Sequence, residues 1–413
     1  DDSNPDPSFV GHPINGMTFY NNRLVMLSDE NIIMSEAGDI FNFFRTSVIT
    51  LKDSDIIDVA TTNEKVSILR NVIGYGNRLL MMSDQTQFVC WGDPVLAPDL
   101  INLAPVSLYE SLKDCKPIAS GNSIFFPFKR GAFSGLREWY MTGETSDSYT
   151  ANDLTAHVPA YIPGNITQIT TAVNDNIAIC LTDDSASRNK IYVLYYYGEG
   201  RERMQSAWGT WSLGGNVTIH DVEFVDNTLY LAFEQPAQDG GTASLHLASM
   251  DLQSGLVDAG STYTTTLDRR LTHSQCTSKT YSGATGNTTM TLPYKIAAGV
   301  DMQAITTDGA SIPVVTQAAG GTSLVLKGDW SSASFWVGAA YTMEYTFTKP
   351  LFKPANAQNA PQANTQGRHQ VRYATLVYSD TSNFNVEVTN TGRDTESFPF
   401  TGKILGDEGS TLG

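Results

Sequence analysis

The 413-residue chain holds only four cysteines, Cys90, Cys115, Cys180 and Cys276. No CxxC pair occurs among them, which excludes a zinc-ribbon or dithiol redox motif. So low a count in a chain of this length reads as reduced thiols rather than a disulfide scaffold. Charge is scarce too. Asp, Glu, Lys and Arg make up 17% of the residues, too few for disorder driven by charge repulsion. No run of about 18 apolar residues exists, so no transmembrane helix is predicted. The opening DDSNPDPSFVG lacks a Met, a basic stretch and an apolar stretch. No signal peptide is expected, and the chain reads as a fragment of a longer polypeptide. The six histidines, His12, His157, His220, His246, His273 and His369, show neither HxxxH nor HExxH spacing, so no metal site is expected. No phosphate-cradling loop appears, because Gly320-Gly321 falls between predicted strands rather than ahead of a helix. No cofactor is expected.

What is present points to β structure. Gly 34, Tyr 18 and Phe 18 suit a turn-rich, strand-rich chain of two or three domains. The stretch TFYNNRLVMLSDENIIMSE alternates apolar and polar residues around turn formers, the pattern of a hairpin. Its phrase then recurs. Asn22-Arg-Leu-Val-Met-Leu-Ser is echoed at Asn77, Asn122, Asn176 and Asn227, at intervals of 55, 45, 54 and 51 residues. Each echo sets a turn former before an apolar strand. A period near 40–50 residues with about four strands per unit is the mark of β-propeller blades, the alternative being a run of unrelated hairpins. Helix is scarce. The segment 99–116, DLINLAPVSLYESLKDCK, is the best candidate, and Pro105 limits it to a short turn.

Beyond residue 255 the texture becomes Thr- and Ser-rich and the phrase stops. The expected architecture is all-β: propeller-like repeats over 1–255, a β-sandwich-like domain over 256–350, a linker or exposed loop over 351–367, and a terminal β segment over 368–413 that packs on another part of the assembly. That last segment carries two predicted β runs, RHQVRYATLVYSD and FNVEVTNTG.

Several segments carry a resemblance to a known family. PSFVGHPINGMTFYNNRLVMLSDENIIMSEAGDIFNFF resembles the signature of tail tubular protein B, the tail nozzle protein of short-tailed bacteriophages. The likeness continues through SDIIDVATTNEKVSILRNVIGYGNRLLMMSDQTQFV, GNSIFFPFKRGAFSGLREWY, NDLTAHVPAYIPGNI and SAWGTWSLG. It thins over 256–350 and returns faintly in RHQVRYATLVYSDTSNFNVEVTN. The resemblance implies a structural virion protein at the tail tip, assembled in the bacterial host cytoplasm. Its implied partners are five further copies in a homohexamer, a tail adaptor similar to tail tubular protein A, tail fibres, and the host cell envelope at ejection. Genome DNA would pass through the channel without specific binding.

The residues themselves offer little chemistry. Asp29-Glu30-Asn31 with Glu36 and Asp39 supply carboxylates of the kind a glycosidase pairs, yet read first as a hairpin turn whose side chains accept backbone N–H bonds. Asp53, Asp55 and Asp58 lack the Gly and terminal Glu of a calcium loop. Ser134, Asp153 and His157 are the residue types of a nucleophilic triad, without a G-x-S-x-G elbow. Trp208 and Trp211, with Tyr195-Tyr196-Tyr197, suit either a sugar-stacking shelf or core filler. Tyr195 and Tyr197 share one strand face and Tyr196 takes the other. The basic pairs are Lys129-Arg130, Arg201 with Arg203, and Arg269-Arg270. Arg130 and Arg203 are candidates for a narrow ring that holds a DNA end. A net charge of −17 opposes tight duplex binding over the whole surface. No catalytic, cofactor-binding or metal residue is assigned, and no enzyme activity is expected. The rival readings are a carbohydrate-binding or carbohydrate-degrading propeller on the virion, and an extracellular adhesion module. The absence of S-x-D-x-G-x-x-W boxes counts against the first, and the absence of a signal peptide and paired cysteines against the second.

Overall fold

The computed structural model describes residues 4–47, 49–63, 66–142, 148–199, 202–213, 217–235, 243–252, 257, 260–261, 264–345, 372–378, 383–390 and 392–401. The chain divides into two compact units, Asp1–Leu256 and Val257–Gly413. Strands dominate the described residues, with one short 3-10 turn at Ser185–Ser187.

The first unit carries five antiparallel sheets in chain order. Sheet 1 is β1 (Ile14–Tyr20), β2 (Arg23–Ser28), β3 (Asn31–Met34) and β4 (Ile57–Ala60). Sheet 2 is β5 (Leu69–Tyr75), β6 (Arg78–Ser83), β7 (Gln87–Gly92) and β8 (Ile101–Ser107). Sheet 3 is β9 (Ile118–Ser120), β10 (Ser123–Arg130), β11 (Phe133–Met141) and β12 (Tyr149–Asp153), with β13 (Ile162–Pro163) added against β11. Sheet 4 is β14 (Ile166–Ala172), β15 (Ile177–Thr182), β16 (Lys190–Glu199) and β17 (Glu202–Ser212). Sheet 5 is β18 (Thr218–Val225), β19 (Thr228–Gln235) and β20 (Ser244–Asp251). Each is an up-and-down meander.

The recurring asparagine explains this regularity. Asn22, Asn77, Asn122, Asn176 and Asn227 each close the turn into the second strand of one sheet. Four of these turns have two residues, a length that demands left-handed backbone. Asn21 and Asn22 adopt φ of 46° and 61°, and Gly76, Gly121 and Asp226 adopt 59°, 60° and 55°. Glycine, Asn and Asp enter that region at least cost. Because the five phrases hold one structural position, they are repeats of one unit rather than unrelated hairpins.

The second strands of sheets 1 to 4 are apolar on both faces because those sheets are packed on both sides, whereas β19 of sheet 5 alternates. Val25, Leu27, Ile32 and Met34 of sheet 1 meet Leu79, Met81, Phe88 and Cys90 of sheet 2. On the opposite face of sheet 2, Leu80, Met82 and Val89 meet Ile124, Phe126 and Trp139 of sheet 3. Phe125 and Leu136 then face Ala178, Cys180 and Leu194 of sheet 4. Ile177, Ile179 and Val193 of sheet 4 face Leu229, Leu231 and Phe233 of sheet 5. The first strand of each sheet lies beside the first strand of the next. This is the stacking of β-propeller blades.

The second unit contains β21 (Asp268–Thr272), β22 (Thr277–Ser282), β23 (Asn287–Thr291), β24 (Met302–Thr306), β25 (Ser311–Ile312), β26 (Val314–Gln317), β27 (Ser323–Lys327) and β28 (Phe335–Ala339). They form two four-stranded sheets, β21-β28-β24-β25 and β22-β23-β27-β26. Both contribute to one core around Met290, Leu324, Phe335 and Val337, a sandwich arrangement. A separate hairpin pairs β29 (Asn383–Thr389) with β30 (Thr395–Thr401).

Three expectations need correction or restriction. Segment 99–116 is not helical: it contains β8, in which Pro105 is tolerated because β8 is the edge strand of sheet 2. Of the terminal β runs, FNVEVTNTG supplies β29, whereas residues 372–378 of the other form no strand. The expected linker, 351–367, lies outside the described residues.

Candidate interaction surface

Between β3 and β4 the chain makes a long excursion, residues 35–56, whose base is firmly anchored. Arg23, the second residue of the repeated phrase, is buried instead of pointing to solvent. Its guanidinium donates to the carbonyls of Ser35 at 2.8 Å and Asp55 at 2.6 Å through one terminal nitrogen. The other nitrogen donates to the carbonyls of Asp53 at 2.6 Å and Leu96 at 3.5 Å. Burial lowers its pKa, and the nearby Glu36 and Asp55 carboxylates pull it back up. The Asp55 carboxylate in turn accepts from the Lys52 amide at 2.9 Å and the Thr46 hydroxyl at 3.2 Å. The Gly38 amide donates to the carbonyl of Asn22 at 3.0 Å, tying the excursion to the first repeat turn.

The near part of the excursion closes the outer face of sheet 1. Phe43 packs with Leu24 and Ile33 and meets Phe9 edge-on at 5.1 Å. The far part does the opposite. Phe41 is 83% exposed and Ile49 91% exposed, and Phe44 and Leu51 are exposed beside them in sequence. A held base that presents apolar side chains to water is the form of a contact surface.

A second set of bonds ties successive sheets at their first strands. The Tyr75 hydroxyl, at the end of β5, donates to the carbonyl of Asn122 in the next repeat turn at 2.9 Å. Tyr20, at the end of β1, makes the equivalent bond to the carbonyl of Asn77. Burial raises the pKa of Tyr20, so its hydroxyl stays protonated and able to donate. In sheet 3 the matching position is Ser120, whose hydroxyl bonds that of Tyr196 in sheet 4 at 2.7 Å. Thr170 of β14 donates to the Glu223 carboxylate of β18 at 3.0 Å.

The residues marked in the sequence are spent on local structure. Asp29 has φ of 47° in the β2–β3 turn and pairs with His12 at 2.7 Å. Glu30 accepts from the Ser67 amide at 2.7 Å, and Glu36 from the Asn42 side chain at 2.6 Å. Asp39 accepts from the Phe41 amide at 3.2 Å. Asp58 accepts from the Ser8 amide at 2.8 Å and from the Asn31 side chain at 3.1 Å. Ser134 donates to the carbonyl of Gly164 at 2.7 Å, Asp153 accepts from both the amide and the hydroxyl of Thr155 at 2.8 and 2.7 Å, and His157 is exposed. No triad forms from them. Arg130 pairs with Asp153 and covers the Phe128 ring at 5.1 Å, which commits it internally. Arg203 lies in β17 opposite Gly198, while Arg201 and His369 lie outside the described residues. Arg269 lies over Tyr294 at 5.7 Å and Arg270 over Trp336 at 4.6 Å.

Trp208 donates to the carbonyl of Leu154 at 2.9 Å and packs, with Tyr196, between sheets 3 and 4. Trp211 packs against the core between sheets 4 and 5. Tyr195 and Tyr197 are exposed on the other face of β16. Cys90, Cys115, Cys180 and Cys276 are buried and free, and burial pushes the first two thiols up to about 12. Among the described residues, no group of three or more His, Cys, Asp or Glu is placed to hold a metal ion. No helix of the described residues is long and apolar enough to cross a membrane.

Residues 1–413 match a family described as bacteriophage nozzle protein. The chain is 28% identical over 396 residues to tail tubular protein gp12 of Escherichia phage T7, a match covering 94% of this chain and 49% of that protein. The chain thus spans about half the length of the curated relative it matches. Among solved structures, the WD40 domain of Neurospora crassa Pan2 is 10% identical with a TM-score of 0.34, over 83% of this chain and 94% of that one. The N-terminal domain of Nup159 is 9% identical with a TM-score of 0.34, over 82% and 94% of the two chains. Both are too distant to bear on this chain.

Proposed function

The chain belongs to the bacteriophage nozzle protein family, whose members are structural tail proteins, and from that premise we propose that it is a subunit of the hexameric tail nozzle of a short-tailed phage. The observation that carries the reading is the family match over the whole of residues 1–413. In this reading the subunits enclose the channel for genome ejection, dock the tail adaptor and the fibres, and meet the host envelope at ejection. The particle is put together in the host cytoplasm. The excursion bearing Phe41 and Ile49 suits a subunit or adaptor contact: covering each side chain fully is worth about 1.5–3 kcal/mol. The residue divisions 1–255, 256–350, 351–367 and 368–413 belong to the same proposal, with the last segment packing elsewhere on the nozzle.

DNA passes without specific binding. Six chains at −17 sum to −102, an upper bound that counterions screen over about 8–10 Å. A wall of that sign repels the phosphate backbone and leaves few contacts to break at each step of translocation. We also read the chain as a non-enzyme. The carboxylates best suited to glycoside hydrolysis, Glu30, Glu36 and Asp39, are occupied by backbone and amide donors.

Imaging of intact tails tests the assembly, with six-fold order expected and another rotational order refuting it. Duplex DNA at ~0.15 M salt is expected to associate weakly with the assembled tail. Nanomolar binding with a steep salt slope would replace the slippery wall with a true DNA-binding surface. Cleavage of capsular sugar above a buffer control, abolished by Glu30→Gln with the fold intact, would favour the carbohydrate reading.

A further inference from the structure

The tip of the 35–56 excursion is apolar and basic in an acidic chain. From Ile40 to Leu51 the one charged residue is Arg45. Its backbone is held by the side chain of Asn4, which accepts from the Arg45 amide at 3.3 Å and donates to the Arg45 carbonyl at 3.5 Å. Arg45 is exposed, and its guanidinium has no hydrogen bond or ion pair among the described residues. Phe41, Phe44, Ile49 and Leu51 are exposed with it. An anchored tip of this composition is short of two things, apolar cover and a carboxylate.

Sheet 4 presents both in one place. Tyr195 and Tyr197 are 45% and 53% exposed on one face of β16. Tyr195 lies in register with Ile177, and Ile177 with Ala172 at the end of β14, so the rings stand beside the turn 173–176. Val173 is exposed in that turn. The pKa of Tyr195 is raised, first by burial and then by the charge of Asp175, which puts that carboxylate near the phenol. Sheet 5 continues the surface. The Gln168 side chain donates to the Val222 carbonyl at 2.7 Å, and the Phe224 amide donates to the Thr170 hydroxyl at 3.2 Å. This parallel register brings Ala172 level with Asp226, so the exposed pair Val225 and Asp226 lies alongside. Asp175 and Asp226 are both exposed, and neither carboxylate has a hydrogen bond or ion pair among the described residues.

We infer that the excursion tip of one copy docks on the Tyr195–Tyr197 surface of a second copy, with Arg45 reaching Asp175 and the tyrosine rings. Charge complementarity selects this occupant, since a basic apolar tip meets an acidic aromatic surface and every copy carries both. Tyr and Arg are the side chains that most often dominate such contacts, and a guanidinium over a phenol ring is itself attractive. Tip and surface lie on sheets 1 and 4 and are both exposed in the single chain, so the contact joins two copies. Pairing two different surfaces is a head-to-tail contact, which closes into a ring when the rotation allows. The inference rests on the reading of this chain as a ring subunit, and it names the surfaces that join neighbours.

The test is a mixing experiment with single-cysteine additions, Ile49→Cys in one preparation and Tyr197→Cys in another. The native thiols are buried, so the introduced thiols dominate reaction with a short bis-maleimide. Assembled mixtures are expected to give a two-chain product at least ~tenfold faster than either preparation alone, because docking raises the effective concentration of the two thiols. Oligomers that form without that product overturn the docking and leave the ring reading intact. Absence of any oligomer by mass photometry overturns both. A charge swap provides the second check. Arg45→Glu and Asp175→Arg are each expected to lower oligomer yield about fivefold at ~0.15 M salt with the melting temperature unchanged, since both positions are exposed. The double variant restores the pair with its signs exchanged and is expected to recover the parental yield. Full assembly of both single variants, or no recovery in the double variant, would count against the proposal.

Discussion

Replacing Arg23 by Met keeps much of the side-chain volume and removes every donor. The carbonyls of Ser35, Asp53 and Asp55 then lose charge-assisted partners at 2.6–2.8 Å. Such bonds are worth about 1.5–3 kcal/mol each, and a buried acceptor left alone costs about 1–3 kcal/mol. Water reaching the base of the excursion recovers part of this, so the net loss is about 4 kcal/mol. For a unit of this size that corresponds to a fall in Tm of about 8–16 °C. Arg23→Lys keeps the charge but not the planar fork, and should lose about half as much. Circular dichroism melts of the two variants and the parent provide the magnitude. Limited proteolysis provides the location, with early cleavage expected within residues 37–55. A Tm change below about 3 °C for Arg23→Met, or cleavage no faster than in the parent, would show that the guanidinium does not hold the excursion.

Three further outcomes are expected. Tyr75→Phe keeps the edge-on contact with Trp139 at 5.2 Å but loses the bond to Asn122, and should cost about 1–2 kcal/mol in denaturant unfolding; an unchanged midpoint would discount the inter-sheet tie. Gly92→Ala would bring Cβ to 2.3 Å from the Val95 carbonyl oxygen and 2.4 Å from Leu96 Cα, both backbone atoms, so a loss above about 3 kcal/mol or insoluble protein is expected, and a soluble variant of parental Tm would contradict the geometry. Cys90 and Cys115 are raised from 9.0 to about 12 in the folded chain. Between those values the unfolded thiols release protons that the folded ones retain, so stability is present below pH 9 and falls as pH rises toward 12, by up to about 1.4 kcal/mol per pH unit for each thiol. Denaturant melts at pH 8 and 10 should show a smaller drop for Cys90→Ala than for the parent, and equal drops would place the titration elsewhere.

The repeat was legible because a two-residue hairpin imposes a backbone demand that Asn, Asp and Gly satisfy, and that demand leaves a mark at fixed sites such as Asn22 and Asn77. Arg23 was not legible. An arginine in a strand ordinarily faces water, and only the three-dimensional approach of Asp53, Asp55 and Ser35 makes it an interior anchor. β8 was hidden by Pro105, since the pattern does not show that the strand lies at an edge. β30 was missed for a similar reason, with Pro399 between Phe398 and Phe400. In the second unit, β21 pairs with β28 across more than sixty residues, and local periodicity contains no record of such a pairing. Tyr195, Tyr196 and Tyr197 were placed correctly by strand alternation alone, yet alternation does not say which face is packed, and that is the face of Tyr196.

Each sheet of the first unit is made from contiguous residues, so a ribosome can finish them one at a time. Sheet 1 is complete once Ala60 has emerged, but its inner face has no cover until sheet 2 follows. Successive repeat turns lie 45–55 residues apart, and at about 5–20 residues per second each new face waits roughly 2–11 seconds for its neighbour. During synthesis the exposed surface is thus one apolar face at a time, handed forward along the chain. The pairing within each sheet is local, which favours rapid closure of the meander before that interval ends. Sheet 5 is the last in this series. Leu245 and Leu247 on its strand β20 are exposed, so this sheet still presents apolar side chains to water after the five meanders have formed.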